Sequence, residues 1–389
     1  LEIIAENRIG RRILRHVREL AQPRFVGSAG ELRARNYIKA AFQREGYEVD
    51  EQPFTSSFFP LDIFPRLLTT AIIVALIVGY FSIAAVPAYA VETGILVLLL
   101  LVLATRWSRA AELMYRLRTF GSLRSKNIIA EHPSRENRIA IIFMAHYDSK
   151  SQNLSGPTRF ALYGALSVVS TLSALLMIAA AVFALPPELV LLTLIPACLL
   201  FITLLTVSTA NASPGAYDNA SGVAVLLELA HSFASEQPKA DLVFVATGAE
   251  EAGLCGAVAL AGYEELVARV PASRSIIINL DGIGSRGPLR VTDRYGIPPV
   301  KTGPQLARLC NDIASRFGID SRNHWLPTGA AMDHIPFAAH GYQSVTLSTA
   351  SWDRAFRAMH TRRDTADLLD IAAIEHCYAV CREIVEAMP

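Results

Sequence analysis

Two stretches of this chain are almost free of charge, and they limit what it can fold into. From Leu67 to Thr105 the only charged residue is Glu92, and from Phe160 to Asn211 the only one is Glu188. A membrane span needs about 20 apolar residues, with a lower limit near 17. Each stretch breaks near its middle, at Pro87 with Gly94 in the first and at Pro186-Pro187 in the second. Each reads as two helices joined by a tight turn, giving transmembrane hairpins over 67–105 and 160–209. The second fits a double crossing comfortably. The first is marginal, and its helices are expected to be short or tilted. A buried core hairpin or a lid over a cleft is the competing reading.

The blocks account for a composition that is apolar for a soluble enzyme, 52% hydrophobic and 18% charged. With both removed, about 300 residues remain, enough for one α/β domain. The expected organisation is a single domain over 1–389 with two hairpins grafted into its loops. Net charge is +1 with no basic stripe, which argues against a nucleic-acid partner.

Both hairpins return to the side they leave, so the domain occupies one membrane face. Arg66, Arg106, Arg109, Lys150 and Arg159 flank the spans there, and the two tips carry no Lys or Arg. The positive-inside rule then places the domain in the cytoplasm. Leu1 to Leu20 carries charges throughout and is no cleavable signal peptide. The chain does not begin with Met, so an upstream segment stays open. Five cysteines, an odd number, agree with a reducing compartment. From Arg106 to Arg124, Trp107, Ala110, Ala111, Met114, Leu117 and Phe120 recur at helical spacing among arginines. That segment fits an interfacial helix on anionic headgroups and equally a helix packed on the domain.

Outside the blocks, polar residues fall at the ends of apolar, strand-like runs. Ile139–Met144 leads to His146, Leu242–Ala246 to Glu250 and Glu251, and Ile276–Leu280 to Asp281. In open α/β sheets, ligands bind beyond the carboxyl ends of the strands. His146, Asp218, Glu251, Asp281 and His360 together read as metal ligands. A catalytic zinc takes about three protein ligands and keeps a position for water, so five residues serve two zinc ions if one carboxylate bridges. Asp218 is the natural bridge, giving Asp218, Glu251 and His360 for one ion and His146, Asp218 and Asp281 for the other. Two divalent ions, three carboxylates and one hydroxide sum to zero, which makes burial tolerable. Glu250 adjoins a ligand without being needed as one, and is the candidate general base. Asp148, two residues past His146, can orient or polarise the imidazole. His16, His132, His231, His324 and His376 have no ligand-like setting.

This ordered set resembles the co-catalytic zinc aminopeptidases, the group of aminopeptidase Y and bacterial leucyl aminopeptidase, to which the glutaminyl cyclases are related. Further stretches are similar to that family: Pro23-Arg24-Phe25-Val26-Gly27-Ser28, Asp333-His334-Ile335-Pro336-Phe337, and His360-Thr361-Arg362-Arg363-Asp364-Thr365. The resemblance covers nearly the whole chain outside the two blocks. Its members with membrane spans usually carry them outside the catalytic core, so hairpins within it are a departure. The resemblance implies a mixed, twisted α/β sheet flanked by helices and a cis Asp218–Asn219 peptide. It also implies a role for Asp333 and His334 in orienting substrate or supporting the metal ligands. The alternative is that Asp333 caps a helix and leaves His334 exposed. The implied activity is that of an aminopeptidase acting on peptides with a free amino terminus. A single-zinc glutaminyl cyclase is the runner-up, because His146-Tyr147-Asp148-Ser149-Lys150 looks like that branch. A non-catalytic membrane receptor or scaffold on a peptidase fold is the third reading.

Overall fold

Uninterrupted apolar runs, Ala140–Ala145 and Leu242–Ala246, build two of the central strands of one large sheet. A computed structural model of the chain describes residues 2–57, 59–106, 113, 115, 123–134, 139–327 and 332–388. The strands in chain order are β1 (Val49–Ser56), β2 (Leu123–His132), β3 (Ala140–His146), β4 (Ser151–Gln152), β5 (Thr209–Ala210), β6 (Asp241–Thr247), β7 (Ser275–Leu280), β8 (Leu289–Tyr295), β9 (Val300–Lys301), β10 (Ser321–Leu326) and β11 (Gln343–Thr349). Nine of them form a sheet ordered β1-β2-β6-β3-β7-β11-β8-β10, with β9 paired to β8, while β4 and β5 pair separately. The central strands β6, β3, β7 and β11 are mutually parallel. Every residue of β3 is buried, as expected of a strand covered on both faces. The mixed sheet follows from antiparallel β1, β2 and β8 at its flanks.

Helices cover the sheet through apolar stripes. On α1 (Glu2–Leu20), Ile13, Val17 and Leu20 are fully buried, and on α2 (Ala29–Arg44), Ala34, Ile38 and Phe42 are. Both follow the three-four spacing of one helix face. Ser28 caps α2, its hydroxyl accepting the Glu31 N–H at 3.1 Å.

The two uncharged blocks form four helices, α3 (Phe64–Ala85), α4 (Pro87–Ala104), α5 (Gly156–Phe183) and α6 (Glu188–Leu205). All four are long and apolar enough to cross a membrane. Their buried residues make a hydrophobic cluster of their own, distinct from the clusters that hold the sheet. Their outer faces carry exposed Phe81, Leu99, Val168, Phe183, Leu192 and Leu199, an apolar surface that water does not favour. Several hydroxyls on these helices bond back along the helix, as Thr93 does to Tyr89 O and Ser173 to Val169 O, which satisfies them without water. Glu188 lies in the first turn of α6 and Glu92 in the second turn of α4, both at the hairpin tips.

One expectation is corrected here. Pro87 does start a new helix, but Gly94 is no break: it lies inside α4, buried. A Cβ there would stand 2.6 Å from Ile178 Cγ1 and 3.2 Å from the Ala174 carbonyl oxygen. α4 and α5 pack closely there, a small-residue contact of the kind helices use in lipid. The Arg106–Arg124 segment lies outside the described residues except at Arg106, Leu113, Tyr115, Leu123 and Arg124.

Candidate metal centre

The parallel strands end together, so their terminal residues share one crevice. His146 closes β3, Asp281 follows β7, and Glu250 and Glu251 follow β6 in a turn. Asp218 stands just before the helix Ser221–Phe233, and His360 in the loop after the short helix Arg354–Ala358. Ligand atoms of His146, Asp218 and Asp281 all lie within 4.8 Å of one another, and so do those of Asp218, Glu251 and His360. These are the two groups expected from the sequence, with Asp218 common to both. Its Oδ1 lies 3.1 Å from His146 Nε2, and its Oδ2 2.8 Å from His360 Nε2. His146 Nε2 is 3.5 Å from Asp281 Oδ1, and His360 Nε2 is 3.1 Å from Glu251 Oε1.

The chemistry of this donor set fits a pair of cations. Three carboxylates and two imidazoles converge. Two ligands each about 2.0–2.1 Å from a tetrahedral zinc stand about 3.3 Å apart, close to the separations found. Protein charges alone leave the cluster unbalanced. Burial, followed by neighbouring Asp218 and Glu251, raises the Asp281 carboxyl despite the pull of His146. Burial opposes charge on His146, yet Glu250, Asp148, Asp218 and Asp281 together hold that imidazole well above its usual range.

Around the ligands, polar contacts fix the backbone. Asp148 accepts the N–H groups of Glu250 and Glu251, each at 3.1 Å, and its Oδ1 lies 3.5 Å from His146 Nδ1. It therefore anchors the turn carrying the glutamate pair as well as facing the imidazole. Ala249, Leu254 and His360 adopt left-handed backbone, at φ 55°, 60° and 62°, which is uncommon for these residues and concentrates at functional sites. Glu250 is half-buried. Burial raises its carboxyl well above the usual range, His146 opposing and Glu251, Asp281 and Asp333 adding to the rise. The Asp218–Asn219 peptide is cis, as the family resemblance implied. Asn219 donates to the Leu280 carbonyl at 2.7 Å, and Gly222 has no room for a side chain, since a Cβ would meet Leu280 O at 2.4 Å.

The reading of Asp333 as a helix cap with exposed His334 is corrected. Asp333 makes no capping bond; its carboxylate accepts the Thr247 hydroxyl, one strand across from His146. Burial lifts it to about 7. His334 is fully buried and shares a hydrogen bond with the Thr346 hydroxyl at 2.6 Å. Burial lowers it to about 3.

Four site residues had no assigned contact in the sequence reading. Arg24 is fully buried and donates to the Tyr147 carbonyl at 2.6 Å and the Gly215 carbonyl at 2.8 Å, behind His146 and Asp218. Asp364 accepts the N–H groups of Tyr217 at 2.7 Å and Asp218 at 3.2 Å, and burial raises it to about 7. Lys150 pairs with Glu251 at 2.5 Å, and Arg159 donates to His360 Nδ1 at 2.7 Å. The sequence offered Arg24 and Asp364 only as members of family-like stretches. Lys150 and Arg159 entered only as basic residues flanking spans. Their charges are turned into the site, which removes them from the orientation argument.

Sheet order, strand-end crevice and flanking helices define the zinc-exopeptidase class of fold, and comparison with known proteins agrees. The sequence model of Peptidase family M28 matches residues 205–385. A "Probable zinc metalloprotease" of Pyrenophora teres f. teres (strain 0-1) is 40% identical over 112 residues, 28% of this chain and 23% of that protein. "Aminopeptidase YwaD" of Bacillus subtilis (strain 168) is 32% identical over 136 residues, 35% of this chain and 29% of that protein. The matched segments thus span about a quarter of the length of those curated relatives. Among solved structures, an aminopeptidase from Aneurinibacillus sp. strain AM-1 superposes with a TM-score of 0.57 at 17% identity, covering 97% of this chain and 93% of its own. A glutaminyl cyclase of Bacteroides thetaiotaomicron gives 0.59 at 13% identity, covering 98% of each chain. Both share this fold.

Proposed function

We propose that this chain is a membrane-anchored, zinc-dependent aminopeptidase that removes residues from peptides with a free amino terminus. The observation that carries the reading is the pair of three-ligand groups sharing Asp218, one oxygen toward each imidazole. Asp218, Glu251 and His360 would hold one zinc, and His146, Asp218 and Asp281 the other. Bound there, the ions supply Lewis acidity toward water and the scissile carbonyl.

The protein's own share of the reaction is proton movement and positioning. Glu250 accepts the proton of the attacking water and returns it to the leaving amine. The hydrogen bond from its backbone N–H to Asp148 holds the turn from which that carboxylate projects. Asp148 also orients His146. Asp333, hydrogen-bonded to Thr247, supports the strand end beside His146.

The same proposal extends to the surroundings. One catalytic domain over 1–389 carries inserted hairpins at 67–105 and 160–209, which make it an integral, multi-pass protein in contact with lipid. Arg66, Arg106 and Arg109 against tips lacking Lys and Arg favour a cytoplasmic domain.

The test is mass spectrometry of a peptide library incubated with detergent-purified protein, with a chelated control. Loss of single amino-terminal residues, abolished by chelation, is the expected outcome. Loss of ammonia from amino-terminal glutamine would move the protein to the cyclases, and unchanged peptides would favour a non-catalytic role.

A further inference from the structure

The two ligand groups share Asp218 but differ in what stands behind their other members. Behind His146 lie acids: Asp148 Oδ1 is 3.5 Å from Nδ1, and Glu250 and Asp333 also bear on that imidazole. Behind Glu251 and His360 lie bases. Lys150 Nζ is 2.5 Å from Glu251 Oε2, and the Lys150 N–H donates to Oε1 at 3.3 Å. Arg159 Nη2 donates to His360 Nδ1 at 2.7 Å.

Both cations come from one stretch that runs from the end of β3 into the first turn of α5. That stretch is built onto the His360 loop. Gln152 N–H donates to the His360 carbonyl at 2.8 Å and Gly156 N–H to the Met359 carbonyl at 3.0 Å. A side chain on Gly156 would collide with Met359, its Cβ lying 2.3 Å from Cε. The root of the second apolar hairpin is therefore part of the wall of this half of the site.

The sign of the effect follows from the chemistry. A metal-binding histidine ordinarily donates its far N–H to an acceptor, which makes the metal-facing nitrogen more basic. Here the partner is a guanidinium, which only donates. His360 Nδ1 must accept, which puts the proton of the neutral ring on Nε2, the nitrogen that faces Asp218 and Glu251. An ion binds there only at the expense of that proton or of the Arg159 contact. The Lys150 ammonium competes with an ion for the Glu251 carboxylate, and both positive charges repel a divalent cation.

We infer that the Asp218–Glu251–His360 half-site holds its ion more weakly than the His146–Asp218–Asp281 half-site, and that the hairpin root sets this difference through Lys150 and Arg159. The inference rests on the two-zinc reading above. Its test is zinc retained, by elemental analysis, when the full chain in detergent is loaded and then challenged with graded concentrations of a competing zinc chelator. Wild type should release one zinc well before the other. Arg159→Gln, whose amide can turn its oxygen to accept from Nδ1–H, and Lys150→Met should each hold the early zinc about tenfold tighter or more. Arg159→Lys should behave as wild type. The two neutral variants act at different ligands, so misfolding of one leaves the other informative. Release of both ions together overturns the inference, as does weaker retention in the neutral variants, which is what merely structural props would give. A chain that takes up one zinc or none at saturation overturns the two-zinc reading itself, and this inference with it.

Discussion

Replacing Arg24 by Lys should damage both the fold and the metal centre, although it keeps the charge. The Arg24 guanidinium makes five contacts with carbonyls. Nε reaches Tyr147, Nη1 reaches Leu20, Gln22 and Pro214, and Nη2 reaches Gly215. An ammonium has three donors on one atom and cannot span carbonyls arranged around a planar fork. At least two charge-assisted bonds are lost, each worth about 1.5–3 kcal/mol, so the cost is about 3–6 kcal/mol. At about 2 °C per kcal/mol, the low end for chains above 150 residues, the thermal midpoint should fall by about 6–12 °C. Because Tyr147 and Gly215 hold the backbone behind His146 and Asp218, zinc affinity should fall about tenfold to a hundredfold. Thermal unfolding followed by intrinsic fluorescence, paired with a chelator titration, measures both. A variant with an unchanged midpoint and unchanged zinc affinity would refute the assignment of Arg24 as the clamp between these segments.

Other consequences are open to the same preparations. Glu250→Gln should keep its zinc and lose turnover by about a hundredfold to ten-thousandfold; full activity in steady-state assays would remove Glu250 from the base role. Gly94→Leu should force α4 and α5 apart at Ile178 and Ala174 and cost about 1–3 kcal/mol. Gly164→Leu, on a face of α5 with nothing within 4 Å, should unfold at nearly the wild-type temperature, and equal loss in both would contradict the helix contact. Burial lowers His16 and His324 to about 4 and His334 to about 3. At these three groups the folded state binds fewer protons than the unfolded one from about pH 6.5 down to 4, so their contribution is full above about pH 6.5 and is lost as the pH drops through that window. Asp333 and Asp364, lifted to about 7, act in the opposite sense. Relative to wild type, the thermal midpoint of the His16→Gln, His334→Gln double variant should therefore rise as the pH drops from about 6.5 to 4, and a difference that does not change with pH would count against the assignment.

The parts of the fold that local pattern can carry were legible in the sequence. Apolar runs ending in His146, Glu250 and Asp281 became β3, β6 and β7, whose ends meet, because parallel strands feeding one crevice is what those runs are built for. Pro87 and Pro186-Pro187 parted the helices, as a missing N–H and a fixed φ favour, although Pro196 sits within α6 without ending it. Gly94 misled because glycine's small size serves a helix contact as well as a turn, and only packing tells the two apart. Asp333 misled in the same manner: the residue type suits a helix cap, but Thr247 from a distant strand competes for its carboxylate. Lys150 and Arg159 show the limit most clearly. As sequence they are basic residues beside an apolar run. Their contacts with Glu251 and His360 span about 100 and 200 residues of chain, distances at which no periodicity speaks.

The claim on which the account depends most is that Asp218 serves both ions. Elemental analysis of detergent-purified variants, saturated with zinc and freed of excess, tests it directly. Wild type should hold two zinc ions per chain. Glu251→Gln and Asp281→Asn should each weaken one site and leave one zinc, while Asp218→Asn should weaken both and leave less than one. Asp218→Asn retaining as much zinc as the two single-site variants would contradict the shared carboxylate, and with it the two-zinc centre.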